Sequence, residues 1–445
     1  MMFERIRRTF SLWSGQRGVI GLLAVSFSVQ LFAAAPGQEW TRFRGPNGAG
    51  ISAAKTVPTK WTPAEYNWAT ELKGDGSSSP VVWEGKVFVT CNDREKSIRS
   101  IVCVDARTGK VRWQRDYPYA RYRLHRDNDF ASSTPVVDGD GVIVVWSTPK
   151  QLQMLALDLD GNPKWQRDLG PYVAIHGSAS SPIIAEGLVV LANDQMHPQV
   201  MKRFLPKDAS MVPGKSFLIA LDRKTGKTRW KTDRKTVLAG YSTPCLRHNG
   251  TAMELVFSGT AHGMTGVDLK TGKVNWELAG ILRTRVVGSP QLYRDLIFGS
   301  HGAGLSAQQF VAVRAPEKGG VAKPEVAYNV YQSPPLVPSC LVKDDLLFLW
   351  TDGGIVSCLN AATGERYWRE RVGGSFYSSP VWVDGRLYCT SKSGDVVVLS
   401  AGKQFELLAK NPLGEKCFAV PAISQGVMYQ RTQRRLISIG GKKTQ

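Results

Sequence analysis

Residues 218–230, Leu-Ile-Ala-Leu-Asp-Arg-Lys-Thr-Gly-Lys-Thr-Arg-Trp, read as a β-hairpin. An alternating apolar run enters a tight Asp-x-x-Thr-Gly turn and leaves on a strand that reaches Trp230. Gly226 supplies the backbone freedom the turn needs, and Asp222 and Thr225 can hydrogen-bond its amides. The phrase returns from Cys103 to Trp113, Ala156 to Trp165, Gly266 to Trp276 and Cys358 to Trp368. Each copy places Asp or Asn two residues after a small residue. A chain that repeats one hairpin this faithfully folds by stacking one supersecondary unit many times.

A second phrase precedes each copy: a small hydroxyl residue, usually Pro, then an apolar pair. It stands at Ser79-Pro80, Thr134-Pro135, Ser181-Pro182, Thr243-Pro244, Ser289-Pro290 and Ser379-Pro380, with degraded forms at Ser339-Cys340 and Val420-Pro421. The repeat of roughly 40–60 residues is that of four-stranded propeller blades. Each unit reads as strand A from the Ser-Pro phrase, strand B, strand C to the Asp, and strand D to the Trp. Pro is tolerated where no ladder donor is needed, at the first residue of a strand. Eight A-type starts face seven later D-strand aromatics, counting Tyr328 and Phe405 as degenerate. The missing one is Trp68, near the other end of the chain. The sequence therefore predicts an all-β, eight-bladed propeller of four-stranded antiparallel blades, its last blade closed by an N-terminal strand. Closure of that kind removes open sheet edges.

The complete phrase from Ala220 to Trp230 resembles the tryptophan-docking motif of PQQ-type (pyrroloquinoline quinone) propellers. That superfamily includes quinoprotein dehydrogenases and BamB-like secreted proteins. The resemblance runs over roughly residues 66–440. It implies that Trp68, Trp113, Trp165, Trp230, Trp276 and Trp368 each stack between a small residue of their own blade and the Gly turn of the next. Blades five and seven depart from the motif, so their junctions are expected to pack differently. BamB-type lipoproteins carry a lipid-bearing Cys at the end of the signal, and none occurs here.

Arg5, Arg7, Arg8 and Arg17 precede a mostly apolar run over residues 19–35 that ends in three Ala. Positive flank, short apolar core and small residues read as an export signal over residues 1–35. The run falls just short of a membrane span. Residues 36–65, rich in turn formers, read as a lead-in, and residues 66–445 as the propeller. Periplasm or cell envelope follows as the location, with no integral span once the signal is removed.

The formal charge is +20. On an exported protein such a charge suits acidic glycans or envelope partners better than nucleic acid. Residues 112–126 interleave Arg115, Arg121 and Arg123 with Tyr117, Tyr119 and Tyr122. With the inserted loop 194–215 they are expected to form a basic, aromatic, Met-bearing ridge on one face. The seven Cys read as buried thiols, and neither adjacent Cys nor Cys-x-x-Cys-His occurs.

The loops joining D to A and B to C ring the axial funnel, where the family places its cofactor. They offer Asp127, Asn128, Asp129, His176, Tyr241, Arg285 and Tyr377 from the first set, and Asp194, His262, His301, Asp352 and Lys392 from the second. A metal or acid/base site from His176, His262 and His301 with Asp129 or Asp194 is one arrangement. A PQQ/Ca²⁺ dehydrogenase is another: Asp127, Asn128 and Asp129 would supply oxygens and Arg285 would pair with the quinone's carboxylate. The reading preferred is a non-catalytic binding or assembly scaffold needing no cofactor, docking envelope proteins or acidic glycans on the loop face.

Overall fold

A computed structural model describes residues 39–122, 125, 127–204, 214–303, 306–317 and 319–441. The expected export signal and Arg123 lie outside these residues, as does part of the inserted loop (205–213). Eight blades form, each built on four antiparallel strands, and in the first seven these four run in sequence order from inner to outer. In the first blade these are Val81–Trp83, Lys86–Asp93, Ile98–Asp105 and Val111–Pro118. Strands B and C are apolar on both faces because each blade is covered by neighbours on either side, and their residues are almost wholly buried. The outer strands alternate, as Tyr66–Glu71 does, because one of their faces meets water. Short hairpins join the strands, and the C-to-D turn is the Asp-x-x-Thr-Gly phrase. Asp222 Oδ1 accepts from the Thr225 amide at 2.9 Å and from its hydroxyl at 2.9 Å.

The eighth blade is completed as the sequence predicts: Tyr66–Glu71 pairs antiparallel with Arg435–Gly440, outside Ala422–Ser424 and Val427–Arg431. One feature lay beyond the expectation. Ile51–Ser52 adds in parallel to Val381–Val383 and makes the seventh sheet five-stranded.

The Ser-Pro phrase has a physical reason. The residue before each Pro donates its amide to the equivalent hydroxyl of the next blade, at 2.9–3.4 Å. The belt runs Ser79, Thr134, Ser181, Thr243, Ser289, Ser339, Ser379. It resumes where the Val420 amide donates to Ser79 Oγ at 3.0 Å. Val420 has no hydroxyl, so the belt is broken at one link, between Ser379 and Val420.

The lead-in crosses the far ends of the inner strands. Trp40 and Thr41 carbonyls accept from the Val82 and Val137 amides at 2.8 and 2.9 Å. Arg42 donates to the Pro244 carbonyl at 2.5 Å, and Arg44 to those of Cys340 and Pro380 at 3.0 and 3.3 Å. Gln291 Nε2 reaches back to the Gly48 carbonyl at 3.1 Å. The strap thereby ties six blades together. Both guanidiniums are buried, and burial lowers each to about 10.

Between blades, indole nitrogens of Trp68, Trp113, Trp165, Trp230 and Trp368 donate to carbonyls of Ala106, Leu159, Arg223, Leu269 and Gly402 at 2.9–3.0 Å. A Cβ built on Gly109, Gly161, Gly226 or Gly272 would sit 2.5–2.7 Å from the ring stacked on it, which is why only Gly serves there. Trp276 behaves otherwise. Its Nε1 turns to its own blade and donates to the buried Glu254 carboxylate at 3.1 Å, since the fifth blade lacks the turn phrase. The sixth-to-seventh junction keeps its bond despite a degenerate turn, with Phe405 set edge-on to Trp368. The seven Cys are unpaired and buried, and burial pushes thiols such as Cys245 and Cys340 up to about 12.

Candidate functional site

The funnel narrows to an axial cavity of about 220 Å³. Its mouth is lined by six of the twelve rim residues singled out from sequence: Asp127, Asn128, His176, Tyr241, Arg285 and Tyr377. His125 and Phe418 line it too. Deeper down come hydroxyls of the belt, and Phe43 of the lead-in lines the cavity as well.

The polar groups at the mouth are bonded across the ring. Asp127 lies between blades one and two, yet accepts from the Tyr377 hydroxyl at 3.0 Å and the Lys392 ammonium at 3.4 Å, both from the region of blade seven. Desolvation pushes Asp127 up, but these two partners outweigh it and hold the carboxyl below its usual value. Burial and the bond to Asp127 push the Tyr377 phenol up to about 12. Lys392 also lies 4.0 Å from the centroid of the Tyr377 ring. His176, between blades two and three, faces Arg285 from the junction of blades four and five, with Nη1 to Nε2 at 2.8 Å. Burial, then the guanidinium charge, lowers the imidazole to about 4, so it is neutral at physiological pH and accepts from Arg285. It packs on His125 at 4.5 Å and edge-on to Tyr241 at 5.9 Å.

Six expected residues fall outside the cavity lining. Asp129 is buried and holds Ser77 Oγ and the Ala131 amide. Asp194 is wedged between Gly240 and Gly259, where burial raises it to about 6. Asp352 caps the Leu336 and Val337 amides at 2.9 and 3.2 Å. Lys392 reaches the site through Asp127, Tyr377 and the Phe418 ring. His262 accepts the Lys235 amide on Nε2 at 2.9 Å and pairs with Glu277 on Nδ1 at 2.7 Å. His301 bonds Thr284 and Gln309 at 2.8 and 3.3 Å.

The three-histidine arrangement is therefore corrected. Each imidazole is committed to its own partners, and among the described residues no three His, Cys, Asp or Glu come together. The reason is geometric: His262, in the turn between Met253–Gly259 and Gly263–Asp268, is held by Glu277 and the Lys235 amide, and His301, on Leu296–Ala303, by Thr284 and Gln309. The ridge is corrected in its Met-bearing part. Arg121 is clipped to Ser97 Oγ at 2.7 Å, Arg115 to the Gly161 carbonyl at 2.8 Å, and Arg112 to Asp105 at 2.5 Å. In the inserted loop Pro198–Phe204 is a helix, and Met196 and Met201 are buried against Val173 rather than displayed.

The oxygen donors nearest the axis do not fit a Ca²⁺–quinone set. Asp127 serves a phenol and an ammonium, Asp129 a hydroxyl and an amide, and the Asn128 side-chain amide donates to the His176 carbonyl. Belt hydroxyls and Val287, Val337 and Val420 wall the cavity beside the rings of Phe43, Tyr241, Tyr377 and Phe418. Chemically the mouth offers recognition groups: the Arg285 guanidinium, the Asp127 carboxylate and several ring faces.

The sequence pattern of the family described as outer membrane protein assembly factor BamB matches residues 65–198, 205–327 and 334–404. The chain belongs to the BamB family. Among solved structures, BamB from Moraxella catarrhalis superposes with a TM-score of 0.58 at 14% identity, over 85% of this chain and 97% of that one. A quinohemoprotein alcohol dehydrogenase from Comamonas testosteroni gives 0.65 at 11% identity, over 92% and 82%. A computationally designed protein, Ika8, gives 0.58 at 10% over 84% and 99%. At such identities the likeness is one of fold. No curated protein matches the chain.

Proposed function

We propose that this BamB-family propeller is an exported, non-catalytic binding and assembly scaffold of the cell envelope, docking protein partners on the loop face around its funnel. One observation carries the reading: the acid and the imidazole at the mouth are each locked to a cation from a distant blade, Asp127 to Lys392 and His176 to Arg285. Groups poised for proton transfer need a lone pair or proton directed at substrate; these are spent on fixing the rim. A rim fixed in advance spares a partner the cost of ordering it. The family's description as an assembly factor supports the same reading.

The test is twofold. Photo-crosslinking groups at Tyr377 and Phe418 should capture envelope proteins in cells, and the purified protein mixed with Ca²⁺ and PQQ should desalt free of quinone with an unchanged melt. Stoichiometric quinone retention with a raised melting point would replace the scaffold by a quinoprotein dehydrogenase.

A further inference from the structure

The axial funnel is not the roomiest concavity among the described residues. A cavity of about 400 Å³ opens between blades one and two, within the usual range of about 300–1,000 Å³ for small-molecule sites. At its base lies Arg99, 3% exposed. No carboxylate of the described residues pairs with it. Its Nη2 donates to the Ser147 carbonyl at 2.6 Å. The Tyr122 hydroxyl is a second polar partner, and ring faces surround the guanidinium: Tyr119 at 4.5 Å, with Phe130 and Trp146 at 5.9 Å. Burying a cation among neutral groups is costly unless an anion joins it.

Two polar atoms of the lining are buried without a hydrogen-bond partner among the described residues: Arg99 Nε and Trp146 Nε1. Buried polar groups ordinarily find a partner, and two that lack one lie together on this cavity. The opposite wall is polar. Gln151 and Gln153, two residues apart on Gln151–Leu157, share a face of that strand, and the exposed Lys150 stands at the rim. The one carboxylate of the lining, Asp168, is engaged by Gln151 Nε2 at 3.1 Å and the Gly170 amide at 2.9 Å.

We propose that this inter-blade cavity is a binding site for an acidic sugar, a uronate residue of an envelope polysaccharide. Arg99 and Lys150 take the carboxylate, and the glutamine amides take ring hydroxyls. Tyr117, tilted 59° to Trp146 at 5.4 Å, offers its ring to the sugar's C–H face. The aromatic walls and paired amides favour a pyranose over an acidic peptide, which would need backbone donors in extended register. The site is independent of the funnel, so it stands or falls separately from the scaffold reading.

Calorimetric titration of the purified protein with trigalacturonate, maltotriose and hexaglutamate decides it. Trigalacturonate should bind, with maltotriose and hexaglutamate each weaker by at least about tenfold, the loss expected when a charged hydrogen bond or its fitted partner is missing. Arg99→Gln should lower the trigalacturonate affinity by a similar factor. Should that variant fail to fold, Lys150→Ala and Gln151→Ala, both at the cavity edge, should each weaken binding several-fold without moving the melt. No trigalacturonate binding, equal binding of maltotriose, or unchanged affinity in both edge variants overturns the proposal. Preference for hexaglutamate also overturns it, in favour of an acidic protein partner.

Discussion

The guanidinium of Arg431 fills the space beside Gly76: a Cβ at that position would stand 1.9 Å from Nη2. Arg431 belongs to the eighth blade and is fully buried. It donates to Ser78 Oγ at 2.7 Å and to the Thr90 carbonyl of the first blade, so it pins the two ends of the ring together. Gly76→Ala must displace a buried cation rather than a flexible tip, and should cost about 2–4 kcal/mol. Chemical denaturation measures it; a midpoint equal to that of the wild type would show that the guanidinium shifts freely.

The gap in the hydroxyl belt gives a prediction of opposite sign. The Ser379 amide has no counterpart hydroxyl because the eighth blade presents Val420. Val420→Thr keeps the shape and supplies the acceptor, so it should stabilise by about 0.5–1.5 kcal/mol, the net worth of one hydrogen bond. A lower melting temperature would mean that the new hydroxyl cannot reach the amide.

The two kinds of Trp should separate on mutation to Phe. Trp113→Phe loses a bond to the Leu159 carbonyl at a half-buried edge, about 0.5–1.5 kcal/mol. Trp276→Phe takes a donor from the buried Glu254, whose carboxylate keeps Arg247 at 2.8 Å; removing one partner of a buried charge costs more, about 1.5–3 kcal/mol. Equal losses in the two variants, measured by urea denaturation, would contradict the assignment of Glu254 as the unusual partner.

Two rim groups impose opposite pH dependences. Asp194, raised to about 6 by burial, binds its proton more tightly folded than unfolded. Its cost is absent below pH ~3.8, grows from there to pH 6, and is complete above. Asp194→Asn should therefore stabilise by about 1–3 kcal/mol above pH 6, with the gain vanishing near pH 4. His176, lowered to about 4, works the other way: its share of stability is whole above pH ~6.5 and is lost as pH falls toward 4. His176→Gln should flatten that slope. Melts of the three proteins from pH 4 to 8 test both signs.

The rigid, local parts of this molecule were legible in the sequence. Turn chemistry at Asp222 and Thr225, and the recurrence of Ser-Pro, follow from contacts within or next to one repeat, so a period exposes them. The displaced aromatic Trp68 betrayed the ring closure by its absence elsewhere. What stayed hidden depends on closure itself. His176 and Arg285 meet from 109 positions apart, and Asp127 meets Lys392 from 265 apart; no local spacing encodes either. Arg99 was passed over because it sits in an ordinary strand, and only the neighbouring blade makes it a buried cation. His262 and His301 were placed at the rim on loop position alone, when the direction of each side chain was decided by Glu277 and Thr284.

The strand Tyr66–Glu71 also sets a temporal order. Synthesis delivers it long before its pairing partner Arg435–Gly440. Until then the opening strand has a bare edge, and the first blade lacks the neighbour that Arg431 and Trp68 provide. The contacts that seal the circle are among the longest-range ones of the described residues, and such contacts form slowly. A nascent or C-terminally shortened chain is thus an unclosed arc with two sticky ends, the form in which strand edges recruit other chains. For this protein the hazardous interval is the one just before completion, and a holding chaperone would act there.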